Sequence, residues 1–371
     1  MRLGVDGRAF ESPAGGVRRY VFELYSAIRQ VDPTVDIVAI GGSPAVVLPP
    51  GIRRRAATAF PTNLGWMAVS LPLAARDAAL DVYHAPAYTA PLWGVHPQVL
   101  TIHDVSYERR PEWNAYKNDP LRRLFYRRSA MAADRILTDS EFSKREIVAA
   151  YGIAASRIDV VPLAAASVFS PGRFDTSAAP AGVRQPYALH VGDLHVRRNL
   201  ATALAAVLAH RRLASGVTPR LAFVCAGVDR GIGAALRGQA REAGDPDALV
   251  LTGAVDEATL VNLYRGAALL LYPSRYEGFG LPVLEAMQSG VPVAGADASS
   301  IPELTGDAAI LVDPMDVPAW TAAVGALLAP ESRASRIDAG LRQAASFSWE
   351  RTARETLAVF RRAAEDQDGR P

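Results

Sequence analysis

The chain has 371 residues, 50% of them hydrophobic and 21% charged, which suits a globular protein with sizeable cores and excludes global disorder. A net charge of +2 excludes a dedicated nucleic-acid binder, and a single cysteine excludes both an intramolecular disulfide and a multi-cysteine metal site. The start, MRLGVDGRAF, carries no apolar leader region, and no uncharged apolar run reaches the ~18 residues of a membrane span, so a cytoplasmic protein is expected.

Strands are predicted at RLGVD (2–6), DIVAI (36–40), VYHA (82–85), QVLTIHD (98–104), RILTDS (135–140) and IDVVPL (158–163). Helices fall between them at 16–30, 120–133 and 142–152, the last stopped by Gly152. A Pro/Ala/Ser/Gly-rich stretch then lacks periodicity, so residues 171–186 read as a linker. The alternation restarts with strands at 187–192, 220–227, 249–255, 268–274, 291–296 and 308–313. Cys225 lies in one of these runs and is expected to be a buried strand residue. An amphipathic helix (349–366) and a frayed end, QDGRP, close the chain. Strand–helix alternation implies parallel sheets covered on both faces, hence two doubly wound α/β domains at 1–170 and 187–345, with a C-terminal segment 346–371. Ligands of such domains sit at the carboxyl ends of the strands, in the cleft between the domains.

Four stretches could carry chemistry. In LLLYPSRYEGFGLPVLEAMQSG (269–290) a strand stops, Gly278 and Gly280 let the backbone approach a ligand, and Pro282 opens a helix whose N–H groups near 281–284 suit an anion. Glu277 precedes this turn and Glu285 is placed in the first turn of the helix. Each is either a local cap or a ligand-facing carboxylate. In HVGDLHVRRNL (190–200) Arg197 and Arg198 stand just before a second helix start, as a solvated pair or a diphosphate clamp. SPAGGVRRY (12–20) places Gly15 and Gly16 at the first helix, without the full spacing of a dinucleotide fingerprint. TIHDVSYE (101–108) puts His103 and Asp104 at the end of an apolar strand, where an imidazole is either structural or bonds a sugar hydroxyl. The other histidines have no ligand spacing, and the two Asp-x-Asp strings, at 245–247 and 366–368, do not follow strands, so no metal is expected. The clusters Arg53–Arg55, Arg122–Arg123 and Arg127–Arg128 read as solvated faces, with a membrane surface as the functional alternative.

These stretches, with YHAPAYTAPLWG, VLTIHDVSYERRPEW, ADRILTDSEFSKREIVAAYG, SSIPELTGDAAILVDPMD and FSWERTARETL in family order, resemble glycosyltransferase family 4 in its mannosyltransferase-like branch. The resemblance covers most of residues 80–320. It implies the GT-B fold, two Rossmann-like domains with an interdomain cleft, and a C-terminal helix crossing back to the N-terminal domain. It also implies a retaining, metal-independent transferase that needs no cofactor beyond its nucleotide-diphosphate sugar. The family has two glutamates with seven residues between them, matched here by Glu277 and Glu285. Glu277 would hold donor-sugar hydroxyls and Glu285 the ribose. Gly278, Phe279, Gly280 and Leu281 would contact sugar and phosphate, and Arg197 and Arg198 the diphosphate. Gly253 and Val255 would flank the base, Gly15 and Gly16 would close over the diphosphate, and His103 would face the sugar. His103, Arg198 and Glu277 are thus the catalytic set.

The acceptor would pass Tyr88, Asp104, Tyr107 and Glu108. It is a saccharide or lipid-linked saccharide, with peripheral contact at the cytoplasmic membrane face among the expectations. The apolar run 63–75 is either a core helix or a lipid-facing one. Three positions depart from the pattern: Arg198 replaces the usual lysine, Val196 the usual proline and Ala164 the usual glycine. GDP-mannose is the first donor choice, with a UDP- or dTDP-sugar behind it. A sugar-nucleotide epimerase or hydrolase and a non-catalytic binding subunit remain as other classes.

Overall fold

Alternating strands and helices build two parallel sheets. The computed structural model describes residues 1–12, 15–58, 60, 62–113, 119–214, 216 and 220–368. The first sheet holds β1 (Arg2–Asp6), β2 (Asp36–Ile40), β3 (Ile52–Arg55), β4 (Val82–Ala85), β5 (Gln98–Thr101), β6 (Arg135–Thr138) and β7 (Ile158–Val160), in the order β3-β2-β1-β4-β5-β6-β7. The second holds β8 (Tyr187–Val191), β9 (Ala222–Ala226), β10 (Leu249–Gly253), β11 (Leu269–Tyr272), β12 (Val293–Ala296) and β13 (Ile310–Val312), in the order β10-β9-β8-β11-β12-β13. Every pairing is parallel. Both orders reverse once, between β1 and β4 and between β8 and β11. Such a reversal opens a crevice at the strand carboxyl ends, because the chain leaves the two neighbouring strands in opposite directions.

One unit comprises Met1–Ala164 with Ser348–Pro371, the other Ala165–Phe347. Residues 171–186 lie within the second unit. There Asn262 accepts from the Asp175 N–H and donates to its carbonyl, both at 2.8 Å, and Gln185 donates to the Gly266 carbonyl at 2.8 Å. The final helix, Trp349–Asp368, packs on the first unit: Thr352 donates to the Pro162 carbonyl at 2.7 Å, Arg361 reaches Asp32 at 2.7 Å, and Arg362 reaches Asp159 at 2.9 Å. Residues 369–371, at the expected frayed end, lie outside the described residues.

Local signals account for most element ends. Ser140 caps the helix Glu141–Tyr151 by accepting from the Ser143 N–H at 3.0 Å, and Gly152 ends it with φ +70°. Cys225 is buried in β9, where burial raises its thiol pKa. β3 corrects the sequence reading. Its four residues, IRRR, have no apolar alternation, so Arg53–Arg55 read as a solvated face. They form instead a charged edge strand, in which Arg53 pairs with Asp36, Arg54 donates to the Val46 carbonyl at 2.7 Å and Arg55 to the Ala74 carbonyl at 3.1 Å. The apolar segment 63–76 is helical with a π-helical turn at Trp66–Ser70. It buries Trp66, Met67 and Leu71 while leaving Leu64, Val69 and Leu73 exposed.

Candidate functional site

In the second unit the loop after β8 carries Arg197 and Arg198, and the loop after β11 carries Ser274 to Gly280. Because β8 and β11 are neighbours at the reversal, the two loops meet. The Arg275 N–H donates to the Arg197 carbonyl at 3.0 Å. Arg198 Nη1 donates to Glu277 Oε1 and to the Tyr272 hydroxyl, and its guanidinium lies 5.3 Å from the centre of the Tyr272 ring. Arg197 Nη1 donates to the Tyr276 carbonyl at 3.1 Å and stands 4.0 Å from Glu277 Oε2. The Ser274 hydroxyl also donates to Glu277 Oε1. A buried carboxylate needs such partners, since desolvating a lone charge costs several kcal/mol.

The backbone of this turn is fixed from below. The Glu277 N–H donates to the Ser299 hydroxyl at 3.1 Å, and the Ser300 hydroxyl donates to the carbonyls of Glu277 and Phe279 at 3.0 and 2.8 Å. Gly280 has φ +109°, and a Cβ there would fall 2.8 Å from Ile301 Cδ1, so glycine is required on two counts. The helix Leu281–Gln288 begins as expected, but its free N–H set is smaller than the sequence suggested. Pro282 has no N–H, and those of Val283 and Leu284 turn back to the Gly280 carbonyl at 2.9 and 3.4 Å. Gly278 is buried and Leu281 half-buried beside it.

Glu285 lies in the second turn of that helix, not the first, so the macrodipole does not account for it. Its carboxylate is buried and accepts from the Tyr264 hydroxyl at 2.9 Å. Gly253, with φ +74°, ends β10, which β9 separates from β8, and Val255 follows it half-buried. Behind the arginines His190 stacks on Tyr272, ring centres 5.7 Å apart. Burial, aided by the charge of Arg198, pushes its pKa down to about 3.

In the first unit His103 follows β5 and Asp139 follows β6. His103 Nδ1 is 2.8 Å from Asp139 Oδ2. Burial is the largest influence on this imidazole and lowers its pKa, but the charge and hydrogen bond of Asp139, with Asp104 and the nearby Pro86 carbonyl, raise it above its ordinary value. Burial likewise raises the carboxyl of Asp139, against the opposing pull of His103. His103 Nε2 is buried and makes no hydrogen bond among the described residues. The rings of Tyr20 and Tyr88 meet His103 edge-on at 4.9 and 6.2 Å, and Tyr88 has φ +56°.

The remaining acceptor-side residues are drawn into structural contacts. Asp104 accepts from the Ser106 N–H at 2.9 Å, and Glu108 accepts from Arg123 at 2.9 Å. Tyr107 is 1% exposed, with its hydroxyl 2.8 Å from that of Tyr151, so it supports Tyr88 from within the core at a ring distance of 5.8 Å. Gly15 and Gly16 open the first helix, Gly15–Val31, and are exposed, whereas residues 13 and 14 of the same stretch lie outside the described residues. The Asp245 string is structural: its carboxylate accepts from Arg211 at 2.7 Å and pairs with Arg220 at 2.9 Å.

Sequence reasoning missed Tyr272, Ser274, Ser299, Ser300 and Asp139. Asp139 did carry a signal. It ends an apolar strand, RILTDS, in the same position as His103 ends QVLTIHD, and those strands are neighbours.

The comparisons with known proteins agree with this picture. Residues 14–165 match the family model described as Glycosyltransferase Family 4, and residues 185–330 match that described as Glycosyl transferases group 1. An O-antigen chain mannosyltransferase B of Escherichia coli is 33% identical over 78% of this chain and 76% of its own. A D-inositol 3-phosphate glycosyltransferase of Mycolicibacterium smegmatis is 30% identical over 96% of this chain and 88% of its own. Among solved structures, a sucrose-phosphate synthase from Thermosynechococcus elongatus superposes with a TM-score of 0.75 at 20% identity, covering 98% of each chain, which shows the fold.

Proposed function

The chain belongs to glycosyltransferase family 4, and on that premise we propose that it is a retaining, metal-independent hexosyltransferase whose donor is a nucleotide-diphosphate sugar, GDP-mannose first. The glycosyltransferase class and the GT-B arrangement of two Rossmann-like domains follow from the matches themselves. The observation that carries the finer reading is the Arg198–Glu277 pair at the β8/β11 reversal. It stores a cation and a carboxylate side by side where a diphosphate and sugar hydroxyls can each take one. The mannosyltransferase relative favours mannose over other hexoses, and a UDP- or dTDP-sugar is the next choice.

In the reaction the bond from sugar C1 to the diphosphate oxygen breaks, and a bond from C1 to the acceptor oxygen forms. The acceptor's proton leaves on the departing diphosphate. Arg197 and Arg198 neutralise the charge that builds on that group, as fixed cations that need no reorganisation. Glu277 holds sugar hydroxyls, and Glu285 takes the ribose hydroxyls, its second carboxylate oxygen already set by Tyr264. Gly278, Phe279, Gly280 and Leu281 line the sugar and phosphate with backbone groups. Gly253 and Val255 take the base, and Gly15 and Gly16 are assigned to the phosphate on the family resemblance. His103 gives a hydrogen bond through Nε2. Tyr88, Asp104, Tyr107 and Glu108 shape the acceptor side, Tyr107 through the ring of Tyr88. Glu277→Ala and Arg198→Ala test the assignment: both lose transfer, and undiminished transfer in either contradicts it. Nucleoside diphosphate release that does not need an acceptor would instead support the hydrolase or epimerase reading.

The acceptor is a saccharide or lipid-linked saccharide, met at an anionic membrane surface. No helix among the described residues is long and apolar enough to cross a membrane. The first unit does expose apolar side chains on three segments: Leu64 and Leu73 on the segment 63–76, Trp93, and Leu121, Leu124 and Met131 on the helix Pro120–Ala132. Trp93 donates to the Ala68 carbonyl at 2.8 Å, and Gln98 bridges the carbonyls of Pro91 and Ala132 at 3.0 and 3.2 Å, which joins the three pieces. Arg122, Arg127 and Arg128 are exposed on the same helix. Apolar residues flanked by arginine suit insertion at a negatively charged headgroup layer.

A further inference from the structure

The loop after β6 and the helix Glu141–Tyr151 that follows it hold His103 at two points. Asp139 takes the Nδ1 side of its ring at 2.8 Å, and the Ser143 hydroxyl donates to its backbone carbonyl at 3.0 Å. Below this point the strands are locked in register, with the Ile102 N–H donating to the Leu137 carbonyl at 2.9 Å and the Thr138 hydroxyl to the Ile102 carbonyl at 2.7 Å. The ring has almost no freedom left: Tyr20, from the helix Gly15–Val31, and Tyr88, after β4, stand against it edge-on. Tyr20 is itself pinned, its hydroxyl 3.1 Å from the Thr101 hydroxyl, which is 2.7 Å from His84 Nε2. Nε2 of His103 is buried and meets no partner in hydrogen-bonding geometry among the described residues, with the Pro86 carbonyl near the ring. A buried polar atom of this kind costs free energy unless a ligand completes it.

We propose that Asp139 is a positioning residue for glycosyl transfer: by accepting the Nδ1–H of His103 it fixes the aim of the ring, and in the imidazolium this leaves Nε2–H directed at an oxygen of the bound saccharide. The proposal rests on the assignment of His103 to the saccharide. The carboxylate does a second thing. With Asp139 charged beside it, the imidazole keeps its proton to higher pH, so that Nε2 remains a donor. The other titratable groups facing the ring do not replace this. Asp104 is the next residue along and caps the turn at Ser106. Tyr20 is buried and its pKa is raised by that burial, so it stays neutral. His84 on β4 is pushed down to about 3 by burial and by the charge of His103, and is neutral too. Tyr88 meets His103 through its ring edge.

The test compares Asp139→Asn and Asp139→Ala in the full chain, by steady-state transfer across pH and by the NMR titration of the His103 ring proton. Alanine should lower kcat about 100-fold, the low end for loss of a positioned proton-transfer or hydrogen-bonding group, with donor KM within about twofold. Asparagine still offers an acceptor to Nδ1–H and should recover part of kcat. Because it lacks the charge, the alkaline fall of kcat and the His103 titration both move to lower pH. A merely structural aspartate would lower stability without moving that limb, so an unshifted profile in Asp139→Asn overturns the proposal, as does wild-type kcat in Asp139→Ala. If the alanine variant does not fold, the asparagine profile decides. A donor panel that yields no transfer overturns the functional reading and this role with it. An unmoved His103 titration overturns the dyad alone.

Discussion

The two units carry their functional groups in opposite ways. In the second unit the groups come from loops that follow adjacent strands at the sheet reversal, and they hold one another: arginine to glutamate, serine to glutamate, serine to backbone. In the first unit the group proposed to face ligand is a single imidazole, held by an aspartate that follows a neighbouring strand. The surfaces differ as well. Of the exposed large hydrophobic side chains among the described residues, ten belong to the first unit and five to the second, and this difference is what the proposed apolar or lipidic contact of the first unit rests on. A charged, self-paired site suits a small anionic donor, whereas an oriented imidazole suits a hydrogen bond to the sugar.

Breaking the ion pair should give the largest effect. Arg198→Ala removes a fixed cation from the leaving group, and we expect a loss of about 10²–10³ in kcat. Glu277→Ala should match it in rate and also lower the stability of the second unit, because it leaves a largely buried guanidinium short of its carboxylate. The corresponding change in the first unit, Asp139→Ala, should be milder in rate. Equal losses from all three would erase the contrast between the units.

Acid should separate the units next. His84 in the first and His190 in the second both have pKa values near 3 by burial, against about 6.5 in an unfolded chain. Below about pH 6.5 the unfolded chain takes up the proton and the folded one does not, so each histidine should cost about 1.4 kcal/mol per pH unit down to about pH 3. His103 has the opposite sign. Its raised pKa contributes stability that is fully present below the unfolded value and lost as pH rises through the folded one. The first unit therefore has a partial offset that the second lacks. Thermal melts from about pH 7.5 to about pH 4 should show a slope that His190→Gln flattens, and a slope the same in wild type and variant would contradict the assignment.

The smallest effect is expected at the exposed apolar residues proposed to meet a membrane. Leu121→Ser with Leu124→Ser should reduce cosedimentation with phosphatidylglycerol vesicles several-fold while leaving transfer to a soluble acceptor unchanged. Binding to phosphatidylcholine vesicles alone should be weak in both proteins, and equal binding to both vesicle types would remove arginine from the account.

Much of this was legible in the sequence, for physical reasons that differ by residue. Parallel strands buried on both faces read as apolar runs, so nearly every strand was placed. β3 was not, because an edge strand needs no apolar face and IRRR has none. Glu277, Glu285, Arg197 and Arg198 stood out because they sit where an apolar run meets glycine or a helix start. The place of Gly15 and Gly16 at the start of the first helix was equally readable. The burial of Tyr107 was not, since an aromatic residue after a strand reads the same whether it faces ligand or core. Nor was the tie between His103 and Asp139, which depends on which strands are neighbours, and a linear sequence does not display that order.

The central claim is that the Arg198–Glu277 switch point activates a nucleotide-diphosphate sugar for transfer. Its most direct test is to incubate the protein, with and without EDTA, with a panel of GDP-, UDP- and dTDP-sugars and a saccharide acceptor, and to follow the anomeric configuration of the product by NMR. The account predicts that one donor gives acceptor-dependent product with retained configuration, at the same rate in EDTA. Product of inverted configuration, or a rate abolished by EDTA, would contradict it.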